Sequence, residues 1–384
     1  MIEAQKAKEM MERAFAQRRK KGILSHAHDE THVTNVARYG RILAEGIAKK
    51  EGIGESRDKS YIYSIDDVAE AVKHVADTAE LAGYLHDIVR QPTEKVPHGA
   101  EGAKWIAYAS YFTKTAKEAW GVMPDDCLSL NREELATVAF ALIEHEKTLA
   151  DVIRLSRFDV NADEKAIVAV SMKICDALLE ASGFRVVERR CFFVGNERMH
   201  NGDLQFLKEN ELTKDKPHVW AVLGESIVRL YARNPLTSYP EWLRGVASRL
   251  HAIQYRFYAN LIKMTGEYQP TDELKIVKLL AQMKFPKVDD KLIGAVEKQR
   301  HLTSGYLGQF PEIGEATFAA GMDNPLQLAK IMENVSMAAD TAQAYAIWKD
   351  AAYENYFAHG VVDYNEGACD FADMAVESYV PGKK

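Results

Sequence analysis

A histidine and an aspartate, His86 and Asp87, stand side by side at the end of the apolar helical run DTAELAGYL. Ser64 begins this predicted helix, and Asp67 three residues later is the acid of a capping box. Placing two polar, metal-binding side chains at the end of an apolar helix costs free energy unless other groups satisfy them. The pair therefore constrains the fold, because other elements must bring partner side chains to it.

Apolar residues recur at steps of three and four along most of the chain, which predicts amphipathic helices. Asn131 and Glu134 form a second capping box at the start of one of them. In the stretch FRVVERRCFFVG, residues 184–195, Val, Phe and Arg alternate instead. This pattern is compatible with a short strand or hairpin but does not require one. We expect an all-α fold, with a helical bundle in residues 1–190, a second, mostly helical region in residues 191–384, and a break near residues 185–205.

Composition excludes several classes of partner. The 384 residues carry a formal net charge of −7, which provides no global basic field, so a nucleic-acid partner is not expected. No run of about 18 apolar residues occurs, so we expect no membrane span. The charged N-terminal stretch has the pattern of neither a signal peptide nor a transit peptide. Four widely spaced cysteines without a CxxC pattern are typical of buried thiols in a cytoplasmic protein: Cys127, Cys175, Cys191 and Cys369.

Candidate metal ligands lie at an end or on the inner face of separate predicted helices. They are His32, His86, Asp87, His98, His145 and Asp176. Helical bundles build metal sites in this way, from inward side chains on facing helices. Imidazole and carboxylate without thiolate favour Fe, Mn, Co, Ni or Zn, with Mg if few histidines bind. The set suffices for one or two divalent ions, and Asp87 is the natural bridge because it adjoins His86.

Three stretches resemble the HD-domain superfamily of metal-dependent phosphohydrolases: AHDETHVTNVARYGRILAE its first helix, LAGYLHDIVR its signature pair, and KICDALLE its last helix. The resemblance covers about residues 20–185. It implies that four residues bind a first metal, namely His32, His86, Asp87 and Asp176. It also implies that His98 and His145 correspond to the additional histidines of two-metal members. The adjacent histidines and the glycine-tyrosine-proline signature of the cyclic-dinucleotide branch are missing, so that substrate class is not expected.

The resemblance implies an enzyme that hydrolyses a nucleotide or another small phosphoester through a metal-activated hydroxide. Asp87, Arg90 and Lys95 are the expected catalytic residues. Arg90 is the first choice for binding phosphate, because a guanidinium group does so in bidentate fashion. Lys147 is a further candidate cation. His28 and Asp29 are candidates for orienting the substrate, and Asp29 serves equally well as a helix N-cap.

Two other functions remain open at this point. The same six ligands occur in HD-type di-iron oxygenases, which would use O₂ to cleave a C–C or C–P bond. Alternatively, the pocket senses a nucleotide and the C-terminal helices carry the response. That C-terminal region could cover the pocket, form a homo-oligomer or bind a partner. Two of its histidines, His251 and His359, lack partners at ligand spacing and are interpreted as surface or packing residues.

Overall fold

The computed structural model describes residues 2–21, 28–54, 65–90, 97–111, 127–181, 205–215, 217–233, 235–251, 273–304, 334 and 364–382. All regular secondary structure in these residues is helical, which confirms the all-α prediction. Several predictions fall outside them: the helix start at Ser64, the catalytic role of Lys95, the strand or hairpin at 184–195, and the packing of His359.

Seven α-helices lie in the described residues before 182. They are α1 (Ile2–Lys20), α2 (Glu30–Glu51), α3 (Ile65–Leu85), α4 (His98–Tyr111), α5 (Arg132–Glu144), α6 (Leu149–Ser156) and α7 (Glu164–Ile174), and α7 continues as a π-helical turn, Cys175–Leu179. α2 packs along α3, and α7 packs against both. α5 contacts α3, α4 and α7, so the candidate ligands come from helices that share one core.

Local sequence explains where two of these helices begin and end. Asp29 is the N-cap of α2, since its carboxylate accepts the backbone N–H of His32 at 3.1 Å. Gly52 ends α2 in the left-handed conformation that suits glycine, with a φ of 65°. Asn131 and Glu134 form the predicted capping box at the start of α5. The cap at Asp29 fixes the first turn of α2, which carries His32.

Glycines allow helices to approach closely beside two candidate ligands. A Cβ added to Gly83 would lie 2.4 Å from the Cα of Ala37, so α3 and α2 are in backbone contact there. A Cβ added to Gly99 would lie 2.1 Å from the carbonyl oxygen of Leu142, where α4 meets α5. Real side chains do not approach that closely. Only glycine fits at either position without displacing a helix that carries a candidate ligand.

The described part of the C-terminal half is also helical. It comprises α8 (Gln205–Glu209), α9 (Pro217–Val228) with a π-helical turn Arg229–Arg233, a 3₁₀ turn Leu236–Ser238, α10 (Glu273–Gln282), α11 (Asp290–Ser304) and α12 (Tyr364–Ser378). Residues 241–251 are helical as well. α10 packs against α11, whereas α12 packs against α2.

The packing of α12 ties the end of the chain to the first helices. The ammonium of Lys50 donates to the carbonyl oxygens of Val376 and Tyr379 at 2.6 and 2.9 Å. Leu243 and Ala372 belong to the same apolar core as α2, α3 and α7. The boundary predicted at residue 190 stays a prediction, because residues 182–204 lie outside the described ranges.

Two expectations drawn from composition have different outcomes. In the described part of the chain, no helix combines the length and apolar character needed to cross a membrane. Cys175 is buried as expected, whereas Cys127 is exposed, so the expectation of buried thiols is wrong for Cys127. Cys127 lies in the non-helical segment that leads into α5, and such connections run over the surface of a protein.

Candidate metal centre

The six candidate ligands come together as two adjoining groups. Group A consists of His32, His86 and Asp176, and group B consists of Asp87, His98 and His145. Within each group, one potential ligand atom from each residue lies within 4.8 Å of the others. These buried clusters of imidazole and carboxylate could hold a metal ion.

In group A both histidines lie deep in the core, whereas the side chain of Asp176 retains 14% of its exposure. The Nε2 atoms of His32 and His86 are 3.2 Å apart, and both residues are fully buried. The Oδ1 atom of Asp176 lies 3.5 Å from Nε2 of His32. Three ligand atoms therefore converge from α2, from the turn after α3 and from the π-helical turn after α7.

In group B, Asp87 and His145 are buried and His98 is partly accessible. The Nε2 atoms of His98 and His145 are 2.9 Å apart. The Oδ1 atom of Asp87 lies 3.1 Å from Nε2 of His98 and 4.0 Å from Nε2 of His145. The side chain of His98 retains 12% of its exposure, which makes it the most accessible of the four histidines.

Asp87 connects the two groups through its two oxygens. While Oδ1 faces group B, Oδ2 lies 3.5 Å from Nε2 of His86 and 3.7 Å from Nε2 of His32. Its side chain is buried, and neither carboxylate oxygen makes a hydrogen bond of acceptable geometry in the described residues. A buried carboxylate in that state needs positive charge, and a bridging position between two cations would provide it.

The pKa values of Asp87 and His145 favour the protonation states of metal ligands. Burial lowers the pKa of His98, but its contact with Asp87 outweighs burial and raises that pKa. Burial alone would raise the pKa of Asp87, but the charges of His86 and Arg90 outweigh it and hold that pKa well below its usual range. Burial lowers the pKa of His145 to about 3, and His86 and His98 act in the same direction. Asp87 is therefore ionised and His145 neutral near pH 7, as coordination requires.

His86 and His145 occupy equivalent positions at helix ends. Each follows the last residue of its helix, α3 or α5, and each points Nδ1 at the carbonyl oxygen three residues back. Those acceptors are Gly83, at 2.7 Å, and Leu142. Carbonyls in the last turn lack partners within the helix, so an imidazole N–H there satisfies one of them. This bond places the proton on Nδ1 and leaves Nε2 with a lone pair.

Carboxylates have the same effect on the other two histidines. Nδ1 of His32 lies 3.4 Å from Oε2 of Glu180, and Nδ1 of His98 lies 2.7 Å from Oε1 of Glu146. With each Nδ1 donating to an oxygen, the neutral form of each ring presents Nε2 to the centre as an acceptor. Metal-binding histidines are oriented by this kind of outer hydrogen bond.

The short distances between Nε2 atoms indicate how each histidine pair would bind a cation. When both rings of a pair are neutral with the proton on Nδ1, their Nε2 lone pairs face each other at 2.9 or 3.2 Å, and a proton or a cation between them removes the repulsion. Two nitrogens that bind one cation at about 2.1 Å stand about 3 Å apart when their bonds are at right angles. The spacing of each histidine pair therefore fits two adjacent ligands of one ion.

A π-helical turn sets the position of Asp176. The turn spans Cys175–Leu179, and π-turns inside helices are frequent at functional sites. It brings Asp176 and Glu180 to opposite nitrogens of the His32 ring. Sequence reasoning missed Glu180, although its spacing of four residues from Asp176 places both on one helix face.

Two further cations near the centre were not identified from sequence. The ammonium of Lys173 is buried and donates to the carbonyl oxygen of His145, and burial lowers its pKa. The guanidinium of Arg18 donates to the carbonyl oxygen of Asp87 at 3.2 Å. Arg18 lies 69 residues before its partner, so no local pattern could have indicated it.

The residues predicted to contact substrate have different positions. An Nη atom of Arg90 lies 3.5 Å from Oδ1 of Asp87, and its side chain is 32% exposed. Nδ1 of His28 lies 3.2 Å from Oδ2 of Asp87. Lys147 forms an ion pair with Glu144, and Asp29 is an N-cap. His251 is buried, which agrees with the packing interpretation.

Comparison of the chain with models of protein families, with curated proteins and with solved structures finds no match. The resemblance to the HD-domain superfamily therefore stays a prediction from sequence. The case for a metal centre depends on the burial, the tautomers and the spacing of groups A and B.

Proposed function

We propose that this chain is a metal-dependent phosphohydrolase that acts on a nucleotide or another small phosphoester. The observation that carries the proposal is the arrangement of four imidazole nitrogens around one carboxylate. Nε2 of His32 lies close to Nε2 of His86, Nε2 of His98 lies close to Nε2 of His145, and the carboxylate of Asp87 lies between the two pairs. This arrangement supports two divalent ions side by side. Two-metal sites of this kind stabilise both the attacking and the leaving oxygen in displacement at phosphorus.

The donor set narrows the class of metal. Nitrogen and oxygen ligands without sulfur suit Fe, Mn, Co, Ni or Zn, and four imidazoles disfavour Mg. When bound, such ions would lower the pKa of water and neutralise phosphoryl oxygens. The side chains of groups A and B would hold the ions, and Asp87 would contribute to both groups.

The remaining residues would act on the substrate. Arg90 is partly exposed beside Asp87, so its guanidinium can bind a phosphoryl group that enters over group B. His28, on the other side of Asp87, is placed to contact the leaving group. Arg18 and Lys173 contact backbone carbonyls instead, so their role is to position Asp87 and His145.

The test combines metal analysis with a phosphate-release screen. Purified protein should contain one or two transition-metal ions per chain and cleave at least one member of a panel of nucleotides and small phosphoesters. His86→Ala and Asp87→Asn should lose bound metal and activity together. Asp159→Asn, an exposed aspartate outside both groups, should retain both.

Two results would contradict the proposal. Metal-loaded protein that cleaves nothing in the panel would exclude phosphoester hydrolysis as the function. Uptake of O₂ by the iron-loaded protein with a polyol or a phosphonate would assign the same ligands to a di-iron oxygenase instead.

A further inference from the structure

The C-terminal half contains a cavity that is separate from the metal centre. It has a volume of about 700 Å³ and is bounded by the π-helical turn Arg229–Arg233, the adjoining 3₁₀ turn and α11. Binding sites for small molecules occupy about 300–1,000 Å³. None of the residues that line it belongs to group A or group B. The cavity therefore has room for a ligand of its own.

The charges around the cavity favour an anion. The lining contains three lysines and two aspartates: Lys287, Lys291, Lys298, Asp289 and Asp290. Asp289 is engaged as the N-cap of α11, because its Oδ1 accepts the backbone N–H of Leu292 at 2.9 Å. Lys291 and Lys298 are seven residues apart on α11 and share one face of the helix. The carboxylates of Asp289 and Asp290 offset the helix dipole at the N-terminus of α11, so the lysines provide the positive charge.

A buried hydrogen-bond donor lines the same cavity. Gln299 is only 2% exposed, and its amide oxygen accepts the backbone N–H of Leu236 at 2.6 Å. Among the described residues, its amide N–H groups meet no acceptor. A ligand that carries an acceptor would form a hydrogen bond with this N–H.

The floor of the cavity is open between the two lysines. Gly294 lies one turn from both Lys291 and Lys298, and a Cβ added there would meet no atom within 4 Å. Tyr231 and Ala295 contribute apolar surface nearby. This combination can receive an apolar or planar body between the cationic groups.

We propose that this cavity is a second ligand site, specific for a small organic phosphate. The phosphate contacts Lys291 and Lys298, the organic body lies over Gly294, and an acceptor on that body receives the free N–H of Gln299. Ammonium groups are established partners of phosphate. A free nucleotide and a phosphorylated metabolite share this chemistry, so either could be the physiological ligand.

The test is calorimetric titration of the full-length protein, as purified, with a non-hydrolysable phosphonate analogue of AMP. Gly294→Leu fills the open floor and should remove one binding event. Lys291→Gln combined with Lys298→Gln should weaken that event by about tenfold or more, equivalent to about 1.4 kcal/mol. Lys208→Gln combined with Lys278→Gln removes two exposed lysines elsewhere and should change the affinity by less than about twofold.

The comparison between ligands separates the parts of the site. Inorganic phosphate and adenosine should each bind at least about tenfold more weakly than the analogue, because each makes only part of the contacts. The proposal is overturned if the analogue does not bind. It is equally overturned if the double variant of Lys291 and Lys298 binds the analogue with the same affinity as the control variant of Lys208 and Lys278. It is also overturned if folded Gly294→Leu protein binds as the wild type does. The lysine pair, whose side chains are exposed, keeps the test decisive should Gly294→Leu fail to fold.

Discussion

Group A and group B use the same ligand chemistry in different surroundings. In group A, His32 is buried, and so is Glu180, the carboxylate that contacts its Nδ1 and that we call its outer partner. In group B, His98 is partly accessible and its outer partner Glu146 is 25% exposed. An electrostatic contact strengthens as water is excluded, so burial strengthens the contact between His32 and Glu180, although at 3.4 Å it is longer than the 2.7 Å contact between His98 and Glu146. We expect group A to be the tighter metal site and group B to be the one that exchanges and meets substrate.

Removing one histidine from each group tests this difference most strongly. His86→Ala should weaken metal binding in group A by more than about 100-fold, since outer-shell changes alone cost 10–100-fold. Phosphoester cleavage should fall to background. His98→Ala should remove the ion of group B and leave the ion of group A bound. Metal stoichiometry by mass spectrometry, with activity on the same samples, measures both effects.

If His98→Ala instead emptied both groups, the two ions would bind as a single unit through Asp87. The difference between groups A and B would then have no functional meaning.

The outer carboxylates give the next largest effect. Glu180→Gln keeps an acceptor for Nδ1 of His32 but removes the buried charge, and should weaken the ion of group A by about 10–100-fold. Glu146→Gln should cost less, because solvent already screens that contact. Competition with a chelator measures each affinity. Equal losses in the two variants would show that burial does not determine the strength of the outer bond.

Sequence reasoning identified the six residues that the structure groups together, and the reason is physical. A polar pair such as His86 and Asp87 at the end of an apolar helix needs partners, and helical periodicity indicated which side chains face inward. The caps at Asn131 and Asp29 act within four residues, so the local sequence was sufficient to predict them. Arg18 reaches Asp87 only through the packing of α1 on α3, which no local pattern specifies.

The position of Asp176 illustrates the same limit. Its residue type and helix were predictable, but the π-helical turn that aims it and Glu180 at His32 depends on tertiary packing. The cavity beside α11 gave no sequence signal at all, because its lysines are ordinary surface residues until Gln299 and Gly294 are placed beside them.

Backbone contact at the helix crossings should affect stability in both groups. Gly83→Ala and Gly99→Ala would force apart helices that carry the ligands of groups A and B, at a cost of about 1–3 kcal/mol in the free energy of unfolding. Gly294→Ala is the matched control, because its Cβ meets nothing and alanine is the better helix former by about 1 kcal/mol. Denaturant unfolding of the three variants measures the difference.

A loss of stability at Gly294, or none at Gly83 and Gly99, would be inconsistent with close helix contact as the reason for these glycines. A loss at Gly99 alone would place the structural constraint in group B rather than in both groups.

A histidine–carboxylate pair outside both groups should give the smallest effect. The contact between Nε2 of His74 and Glu164, at 3.1 Å, raises the pKa of His74. Because the folded pKa lies above the unfolded value of about 6.5, this contribution is complete below pH 6.5 and is lost as pH rises through the folded pKa. The His74 side chain is 42% exposed, so screening limits the gain to about 0.5 kcal/mol. His74→Asn should therefore lower the thermal midpoint slightly at pH 5.5 and not at pH 8.5; a larger loss at pH 8.5 would reverse the assigned sign.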